Sequence, residues 1–410
     1  IQMSIKIIFD ATIIGEHYQK NETGIFRVAN ELFQKLVRDK NNLKFFYSVF
    51  GYSTSKCTNS DIENYLSNNQ LIVENANTRN RVKFLPFRKE KFFKKIYSKL
   101  GVKDYVINSN ANILSNSDIY HSPYFPISKE LERFPNLKRI ITIHDLIPIL
   151  FPQYNSDTNL LNDVVNSVKN SGFAICVSEN TKRDLLKYAP SISPDRVFVS
   201  LLAASPDLFY VCKDEAKFAE VRKKYNIPQN YFLSLSTLEP RKNIDHVIRS
   251  FSQMISEKKI DDLSLVLVGN KGWDFDKIFA EYENAQDLKD KIIITGRIPD
   301  EDLASIYSNA NSFYYMSFYE GFGLPPLEAM QCGTATVVSN TSSLPEVVDD
   351  AGILLDPRDQ EKLVETMWTI YNDEKYRNEL STKALERSKE FSWEKTAAQH
   401  IEIYKKILQF

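Results

Sequence analysis

Cysteine is scarce in this chain, and its four cysteines are far apart in the sequence. Cys57, Cys176, Cys212 and Cys332 show no metal-ligand spacing and lie mostly beside apolar residues, so we expect free thiols in a reducing compartment. Long apolar runs are also missing, because none approaches the roughly 20 residues that a membrane-spanning helix needs. The first residues show no signal-peptide pattern. We therefore expect a cytoplasmic protein, in which any membrane contact is peripheral.

Neither sign of charge is in excess. The chain has 52 Lys and Arg against 53 Asp and Glu, a formal net charge of -1. This balance argues against nucleic acid or another polyelectrolyte as the partner of the whole molecule. The content of hydrophobic residues, 43%, is ordinary for a globular protein. Because 410 residues exceed what one hydrophobic core usually serves, we expect two domains.

Apolar patterning predicts two successive α/β series. Strands of mostly apolar residues alternate with segments of helical spacing, which is typical of parallel sheets. The first series has strands at 6–10, 43–50, 71–73, 119–121, 139–143, 173–177 and 197–201 and a helix at 23–36. The second has strands at 231–236, 263–268, 292–295 and 312–316 and helices at 244–257 and 302–310. The connection at 206–228 is charged and weakly periodic, so we place the domain boundary there.

One stretch, residues 317–346, holds two carboxylates around a glycine-bearing loop. Pro325 and Pro326 suit the first positions of a short helix, and Gly333 suits its end. Glu320 and Glu328 flank the loop, whose backbone N–H groups lie at the positive end of the helix dipole. This arrangement predicts an anion site, and a phosphate attached to a polyhydroxylated carbon fits it.

Parallel α/β sheets bind ligands beyond the carboxyl ends of their strands. Four candidate stretches follow predicted strands: Gly24, His144 with Asp145, residues 237–242, and the Glu320 loop. Two come from each half of the chain. The sequence therefore predicts a site in a cleft between two domains.

These motifs resemble a known family. Glu320 and Glu328, with seven residues between them, are similar to the paired-glutamate motif of the retaining glycosyltransferases of family 4. Other pieces follow in family order: the Gly24 loop, Thr142-Ile-His-Asp-Leu146, Val177-Ser-Glu-Asn-Thr-Lys182, Thr237-Leu-Glu-Pro-Arg-Lys-Asn243, Val268-Gly-Asn-Lys-Gly-Trp273 and Gly296-Arg-Ile-Pro-Asp300. Within the family, these motifs are most similar to those of bacterial mannosyl- and rhamnosyltransferases of O-antigen and capsule assembly.

The resemblance implies the α/β GT-B fold, in which two Rossmann-like domains face each other across a cleft. Residues 1–205 would form the N-terminal, acceptor-side domain, and residues 206–390 the nucleotide-sugar domain. Residues 391–410 would carry a C-terminal helix back to the N-terminal domain.

The resemblance also implies roles for single residues. Glu320 would approach the donor sugar, His144 would lie over that sugar, and Glu328 would bind the nucleotide ribose. The remaining donor-binding candidates are Gly24, Thr237, Arg241, Lys242, Arg297, Gly321, Phe322, Gly323 and Leu324. Lys242 would neutralise the diphosphate, a role for which a mobile point charge suffices. Ser236 and Thr237 stand where many relatives have an arginine, so either Arg241 replaces it or a hydroxyl and the helix terminus at Asn243 suffice.

The implied function is transfer of a hexose from a nucleotide diphosphate sugar to a saccharide or lipid-linked saccharide. Mannose is favoured, and rhamnose, fucose or glucose are alternatives. We expect no cofactor and no metal requirement. Competing hypotheses are a catalytically inactive sugar-binding subunit and a glucan synthase-like enzyme. A dinucleotide dehydrogenase is disfavoured because no Gly-x-Gly-x-x-Gly follows either opening strand.

The segment from Arg79 to Lys103 is strongly basic. It has ten Lys or Arg and one acid, Glu90, with apolar residues at helical spacing. Such a helix can lie on an anionic bilayer, here the inner face of the plasma membrane. The alternative, to which we give equal weight, is that its aromatic face packs on the N-terminal sheet and its lysines are solvated.

Overall fold

The computed structural model describes residues 4–18, 24–52, 55–81, 105–154, 158–170 and 172–410. Within these residues two parallel sheets confirm the predicted pair of α/β units. Strands whose residues are all buried form their centres, namely Ile119–Ser122 in the first sheet and Ser312–Tyr315 in the second. Burial along the whole strand is what a parallel sheet covered by helices on both faces requires.

The first sheet has seven parallel strands in the order β3-β2-β1-β6-β7-β8-β9. Its central register pairs Ile7 with Phe45 and with Ile119. The strands are β1 Ile5–Asp10, β2 Leu43–Ser48, β3 Glu74–Asn75, β6 Ile119–Ser122, β7 Lys138–Ile143, β8 Phe173–Cys176 and β9 Val197–Val199. A separate antiparallel pair is formed by β4 Asn77–Arg81 and β5 Tyr105–Ser109.

The second sheet has six parallel strands in the order β12-β11-β10-β13-β14-β15. The strands are β10 Tyr231–Leu235, β11 Ser264–Val268, β12 Ile292–Gly296, β13 Ser312–Tyr315, β14 Thr336–Ser339 and β15 Ile353–Leu355. From the β10–β13 pair, the chain adds strands outward in both directions, first β11 and β12 and then β14 and β15. The loops after β10 and β13 therefore lead to opposite halves of the sheet. This is the position at which open α/β sheets bind ligands.

Helices pack on both faces of each sheet. In the N-terminal unit they are α1 Thr12–His17, α2 Gly24–Arg38, α3 Asn59–Asn68, α4 Ala111–Ser115, α5 Ile147–Leu150, α6 Asn159–Lys169 and α7 Glu179–Tyr188. The C-terminal unit adds α8 Glu215–Tyr225, α9 Ile244–Lys258, α10 Asp276–Asn284, α11 Asp300–Ser308, α12 Leu324–Gln331, α13 Leu344–Val348, α14 Gln360–Asn372, α15 Glu374–Ser388 and α16 Trp393–Ile407. Several begin at a side-chain cap: Ser178 accepts from the N–H of Thr181, and Ser392 from that of Lys395.

Two sequence-based expectations were wrong in detail. The strand predicted at 71–73 lies at β3 instead, and Ile72 is fully exposed. The connection at 206–228, for which the weak periodicity predicted no helix, contains α8. Only Phe218 and Val221 of that helix are buried, so its sequence shows little apolar periodicity. Ion pairs from Lys217 and Lys224 to Asp302 hold α8 on α11.

The C-terminal helix returns to the N-terminal sheet, as expected. Ile401, Tyr404 and Ile407 of α16 lie in one core cluster with residues of α2 and β1. The Tyr404 hydroxyl is 2.7 Å from Nδ1 of His121 on β6. Burial of this apolar face ties the end of the chain to its beginning.

The basic segment begins differently from the prediction. Arg79 lies in β4, not in a helix, and its guanidinium is buried where it donates to the Ser55 and Cys57 carbonyl oxygens. A buried, hydrogen-bonded arginine cannot lie on a bilayer, so that part of the prediction was wrong. Residues 82–104 lie outside the described residues, and the proposed membrane surface there stays a prediction.

In the described part of the chain, no helix is both long and apolar enough to cross a membrane. The four cysteines are buried free thiols, as expected.

Candidate active site

The Glu320 loop joins β13 to α12, and a glycine with positive φ precedes the helix. Gly323 is the residue before α12 and has φ +120°, and a Cβ there would lie 2.8 Å from Cδ2 of Leu344. Both facts favour glycine at this position. Because Pro325 and Pro326 have no N–H, Leu324 supplies the first amide of α12. The positive, N-terminal end of the α12 dipole therefore lies at the loop, as the sequence predicted.

Glu320 is buried in an ion cluster, with 9% of the residue exposed. Its Oε1 accepts from Nζ of Lys242 at 2.5 Å and from the hydroxyl of Tyr315 at 3.0 Å. A guanidinium nitrogen of Arg241 is also 3.0 Å from that oxygen. The other guanidinium nitrogen of Arg241 pairs with Glu239 at 2.8 Å. The structure thus brings Arg241 and Lys242 together on Glu320.

This cluster sets the charge of Glu320. Burial alone would raise the pKa of the Glu320 carboxyl, but Arg241 and Lys242 outweigh burial and lower this pKa to about 2. Burial and the neighbouring Arg241 lower the pKa of Lys242, against the pull of Glu320. Glu320 is therefore ionised near neutral pH, and it accepts hydrogen bonds from Lys242 and Arg241 beside the loop.

Gly321 is the point where the two units touch. A Cβ at Gly321 would lie 2.0 Å from the carbonyl oxygen of His144, so a side chain there would clash with the opposite unit. The Gly321 carbonyl oxygen accepts from the hydroxyls of Ser178 at 2.7 Å and Thr181 at 3.1 Å. The start of α7 therefore docks on the Glu320 loop.

His144 follows β7 and faces this contact. Its Nε2 donates to the carbonyl oxygen of Pro123 at 2.8 Å, which leaves Nδ1 unprotonated in the neutral ring. Burial lowers the pKa of His144, against the hydrogen bond to Pro123 and the charge of Asp145. His144 is therefore neutral near pH 7. Burial raises the pKa of the adjacent Asp145, whose Oδ1 accepts from the N–H of Ile147.

Glu328 binds an arginine from the other unit. Arg27 on α2 donates to Oε1 of Glu328 at 2.8 Å and to Oδ2 of Asp300 at 2.8 Å. The Tyr307 hydroxyl is 3.2 Å from Oε2 of Glu328. Burial raises the pKa of Glu328, whereas Arg27 and Tyr307 lower it. Glu328, a residue that is only 4% exposed, is thus held by a cation from helix α2 of the N-terminal unit.

The other predicted donor-binding residues lie around this centre. Gly24 is the first residue of α2, one turn before Arg27, and a Cβ there would meet nothing within 4 Å. Gly24 does not follow β1 directly, because α1 intervenes. Thr237 and Arg297 are exposed after β10 and β12, and Leu324 is partly exposed. Phe322 is buried, and its ring packs edge-on to Phe391, so its side chain serves the core.

Further contacts close the two units on each other. Both carboxylate oxygens of Glu346 accept from the N–H groups of Glu179 and Asn180, at the start of α7. The Tyr319 hydroxyl donates to Asp184 of the same helix at 2.8 Å. A carboxylate at a helix N-terminus opposes the helix dipole favourably. The Glu320 loop and its neighbours are therefore held by several polar contacts from the N-terminal unit.

Sequence reasoning missed Arg27, Asp300, Tyr315 and Tyr319. A signal for Arg27 existed: a cation one turn into a helix is unfavourable for the dipole, and this singles out Lys242 as well. The sequence predicts Tyr315 in a buried strand and Tyr319 in the loop that follows. Nothing in their spacing indicates that their hydroxyls take part in the site.

Solved structures share this architecture and define the fold of the protein. The structure of HepE from Anabaena in complex with UDP and glucose matches with a TM-score of 0.68 at 15% identity, over 98% of this chain and 99% of that one. Sucrose-phosphate synthase from Thermosynechococcus elongatus matches with a TM-score of 0.66 at 20% identity, over 98% of each chain. The chain has the GT-B fold.

Sequence comparison gives the family. A family model described as glycosyl transferases group 1 matches residues 217–387. O-antigen chain mannosyltransferase B of Escherichia coli is 34% identical over 294 residues, which are 70% of this chain and 74% of that protein. Serotype-specific mannosyltransferase WbdA of Escherichia coli is 30% identical over 293 residues, only 36% of that longer protein. The chain belongs to the group 1 glycosyltransferases.

Proposed function

We propose that this glycosyltransferase moves a hexose, mannose in the first place, from a nucleoside diphosphate sugar to a saccharide acceptor in surface polysaccharide synthesis. The O-antigen mannosyltransferases among its relatives support mannose and a polysaccharide product. Rhamnose, fucose and glucose remain the alternatives for the sugar, and a lipid-linked saccharide for the acceptor.

The ion cluster at Glu320 carries this proposal. Departure of a nucleoside diphosphate builds negative charge on the leaving phosphate oxygen, and fixed cations beside that oxygen lower the barrier. Lys242 and Arg241 lie together at the carboxyl end of β10, and α12 adds the positive end of its dipole. The amides of Gly321 to Leu324 would hold the sugar hydroxyls and phosphate, and Glu320 would orient the sugar.

Glu328 would accept hydrogen bonds from the nucleotide ribose. A carboxylate has about four lone-pair positions, so contacts from Arg27 and Tyr307 leave room for a hydroxyl. Arg297, Thr237 and Gly24 would border the base and phosphates, in line with their positions at strand and helix ends.

The proposed reaction retains the configuration at the anomeric carbon. The bond from that carbon to the phosphate oxygen breaks, an acceptor hydroxyl oxygen bonds to the same face, and its proton passes to the leaving phosphate. Neutral His144, whose carbonyl oxygen packs against Gly321, would bind the sugar and stabilise its developing positive charge. We expect transfer without added divalent metal, which assays with EDTA test.

Donor identity is tested by thermal unfolding with UDP, GDP, dTDP and their sugars. A ligand that binds only the folded state stabilises it by about 2.7 kcal/mol at 100 times its dissociation constant. We expect GDP and GDP-mannose to give the largest shifts and Lys242→Met to reduce them. Equal shifts in wild type and Lys242→Met would refute the role of Lys242, and no transfer from any of these sugars would favour an inactive sugar-binding subunit.

Peripheral membrane contact through the basic segment is a separate proposal. Clustered lysines add roughly 1 kcal/mol each near an anionic surface. Sedimentation with liposomes rich in acidic lipid should show less binding for Lys94→Glu/Lys95→Glu than for wild type. Unchanged binding would remove this proposal.

A further inference from the structure

A cavity of about 600 Å³ lies between the two units beside the Glu320 cluster. Its walls include Asp145, Gln153 and Tyr154 from the N-terminal unit and Glu239, Arg241 and Trp273 from the C-terminal unit. This volume falls within the roughly 300–1,000 Å³ of small-molecule pockets. Arg241 contacts Glu320 directly, and Asp145 follows His144, so an occupant would lie next to the proposed reaction centre.

Trp273 is an unusual residue for a cavity wall, because 42% of it is exposed. Its ring centroid lies 6.4 Å from that of Tyr154, which comes from the opposite unit. An exposed indole is an unsatisfied apolar surface that a ligand can cover. The pair thus gives the cavity two aromatic surfaces, one from each unit.

The Trp273 loop is held firmly. The N–H of Gly272 donates to the carbonyl oxygen of Leu238, and the N–H of Leu238 donates to that of Asn270, each at 2.9 Å. A Cβ at Gly272 would lie 2.9 Å from that Leu238 oxygen, so the two loops pack closely. Gly272 therefore fixes the position of the adjacent Trp273 indole at the cavity. This indicates that the indole is held there as part of the cavity wall.

The polar groups of the cavity select the kind of ligand. Two carboxylates, Asp145 and Glu239, face one guanidinium, and Arg241 is already paired with Glu239 and Glu320. A phosphate fits better at Lys242, which does not line this cavity, than between these two carboxylates. An uncharged polyol finds hydrogen-bond acceptors in the carboxylates and both kinds of group in Gln153. The C–H face of a pyranose, which is apolar and slightly positive, suits the negative face of an aromatic ring.

We propose that this cavity is a subsite for the acceptor saccharide, in which Trp273 and Tyr154 stack on pyranose rings. Asp145, Gln153 and Glu239 bind the hydroxyls. The subsite rests on the proposed transfer function and assigns the acceptor, in part, to a loop of the nucleotide-sugar unit.

The kinetic test uses Trp273→Ala, Trp273→Phe and the control Phe279→Ala, which removes another exposed aromatic residue of the same unit. With GDP-mannose as donor and α-linked mannotriose as acceptor, Trp273→Ala should raise the acceptor KM at least tenfold. Its donor KM and its rate of donor hydrolysis by water should stay within twofold of wild type. Trp273→Phe should recover part of the loss, and Phe279→Ala should match wild type. An acceptor KM for Trp273→Ala within twofold of wild type would overturn the subsite.

A binding test separates this inference from the proposed function. Mannotriose should change the intrinsic tryptophan fluorescence of wild type and of Phe279→Ala but not that of Trp273→Phe, while all three unfold at similar temperatures. If wild type neither transfers nor hydrolyses any nucleotide sugar, the proposed function fails, whereas this titration still decides the subsite. An equal fluorescence change in wild type and Trp273→Phe would contradict it.

Discussion

Glu320 shows how one residue combines two requirements of the reaction. A carboxylate near a phosphate dianion would repel it, yet Glu320 is flanked by Lys242 and Arg241, which compensate its charge. The cations hold the pKa of Glu320 near 2, so the group stays an acceptor for sugar hydroxyls across the physiological range. In the proposed mechanism its role is therefore to orient a sugar and two cations, not to transfer a proton.

Replacing Glu320 by Gln should reduce turnover by about 10²- to 10³-fold, the scale on which lost transition-state electrostatics act. The amide keeps the shape but leaves Arg241 and Lys242 without their common anion. Steady-state kinetics with GDP-mannose measure the effect, and Glu365→Gln, an exposed glutamate on α14, serves as the control. Turnover within threefold of wild type, with an unchanged unfolding temperature, would remove Glu320 from the mechanism.

At this scale the sequence predicted more of the C-terminal residues than of the N-terminal ones. Glu320, Glu328 and Lys242 could be found because a glycine loop, two prolines and a misplaced cation mark a helix N-terminus. Arg27 was missed because its partner, Glu328, is 301 positions away, and pairings over that distance depend on how the two units meet.

Among the elements, the Glu320 loop and α7 form the contact that brings both halves of the site together. Gly321 permits this approach, since its missing side chain leaves room for the His144 carbonyl. Local sequence predicts a loop that tolerates glycine, but only the assembled structure shows which atom occupies the space.

We expect Gly321→Ala to reduce kcat/KM for transfer by about 10²-fold, the cost of a misplacement of roughly 1 Å at a reacting centre. The added methyl would lie 2.0 Å from the His144 oxygen and hold the two units apart. Nucleotide binding should fall less than turnover, by no more than the loss of the Arg27–Glu328 contact costs, because Lys242 and Glu328 both belong to the C-terminal unit. Kinetics and calorimetric titration with GDP measure the two effects. A wild-type kcat/KM would show that this contact is not needed for catalysis.

The start of α2 gives a second test at this scale. Arg27→Met should weaken GDP binding about tenfold, because loss of the cation raises the pKa of buried Glu328 and removes an ionised acceptor for the ribose. Lys35→Met on the same helix removes an exposed ion pair to Glu394 and should be neutral. Calorimetric titration at pH 7 compares them. Equal affinity in all three proteins would refute the link between Arg27 and nucleotide binding.

For the whole molecule, periodic apolar patterning was sufficient to predict two parallel sheets and most of their strands. The short edge strand β3 was misplaced because its neighbouring apolar run, residues 71–73, belongs to a connection. Helix α8 was missed because it buries only two apolar side chains. The limits of the two domains, 1–205 and 206–390 with 391–410 returning, stay a prediction.

Attachment of the C-terminal helix makes the stability of the molecule pH-dependent. Burial lowers the pKa of His400 on α16 to about 4, partly offset by its hydrogen bond to the Thr396 carbonyl. An unfolded chain takes up this proton below about pH 6.5, so the folded state loses stability as the pH falls from 6.5 towards 4. Between pH 7.5 and pH 5 the loss from His400 should be about 2 kcal/mol.

Urea unfolding at these two pH values should show that His400→Gln loses about 2 kcal/mol less than wild type on acidification. The ring of buried His121 stacks on that of His400 at 5.6 Å between centroids, but burial is the main cause of its lowered pKa, so most of its contribution is common to both proteins and cancels. His17→Gln, at the end of α1, is the control and should follow wild type. Identical losses in wild type and His400→Gln would show that His400 is not held neutral by the docked helix.

The measurement that tests the central claim most directly is NMR analysis of the product formed from GDP-mannose and α-linked mannotriose. We predict a new mannosyl residue with the α configuration of the donor, formed by wild type and not detectably by Glu320→Gln. A β-linked product, or equal product from Glu320→Gln, would contradict the account.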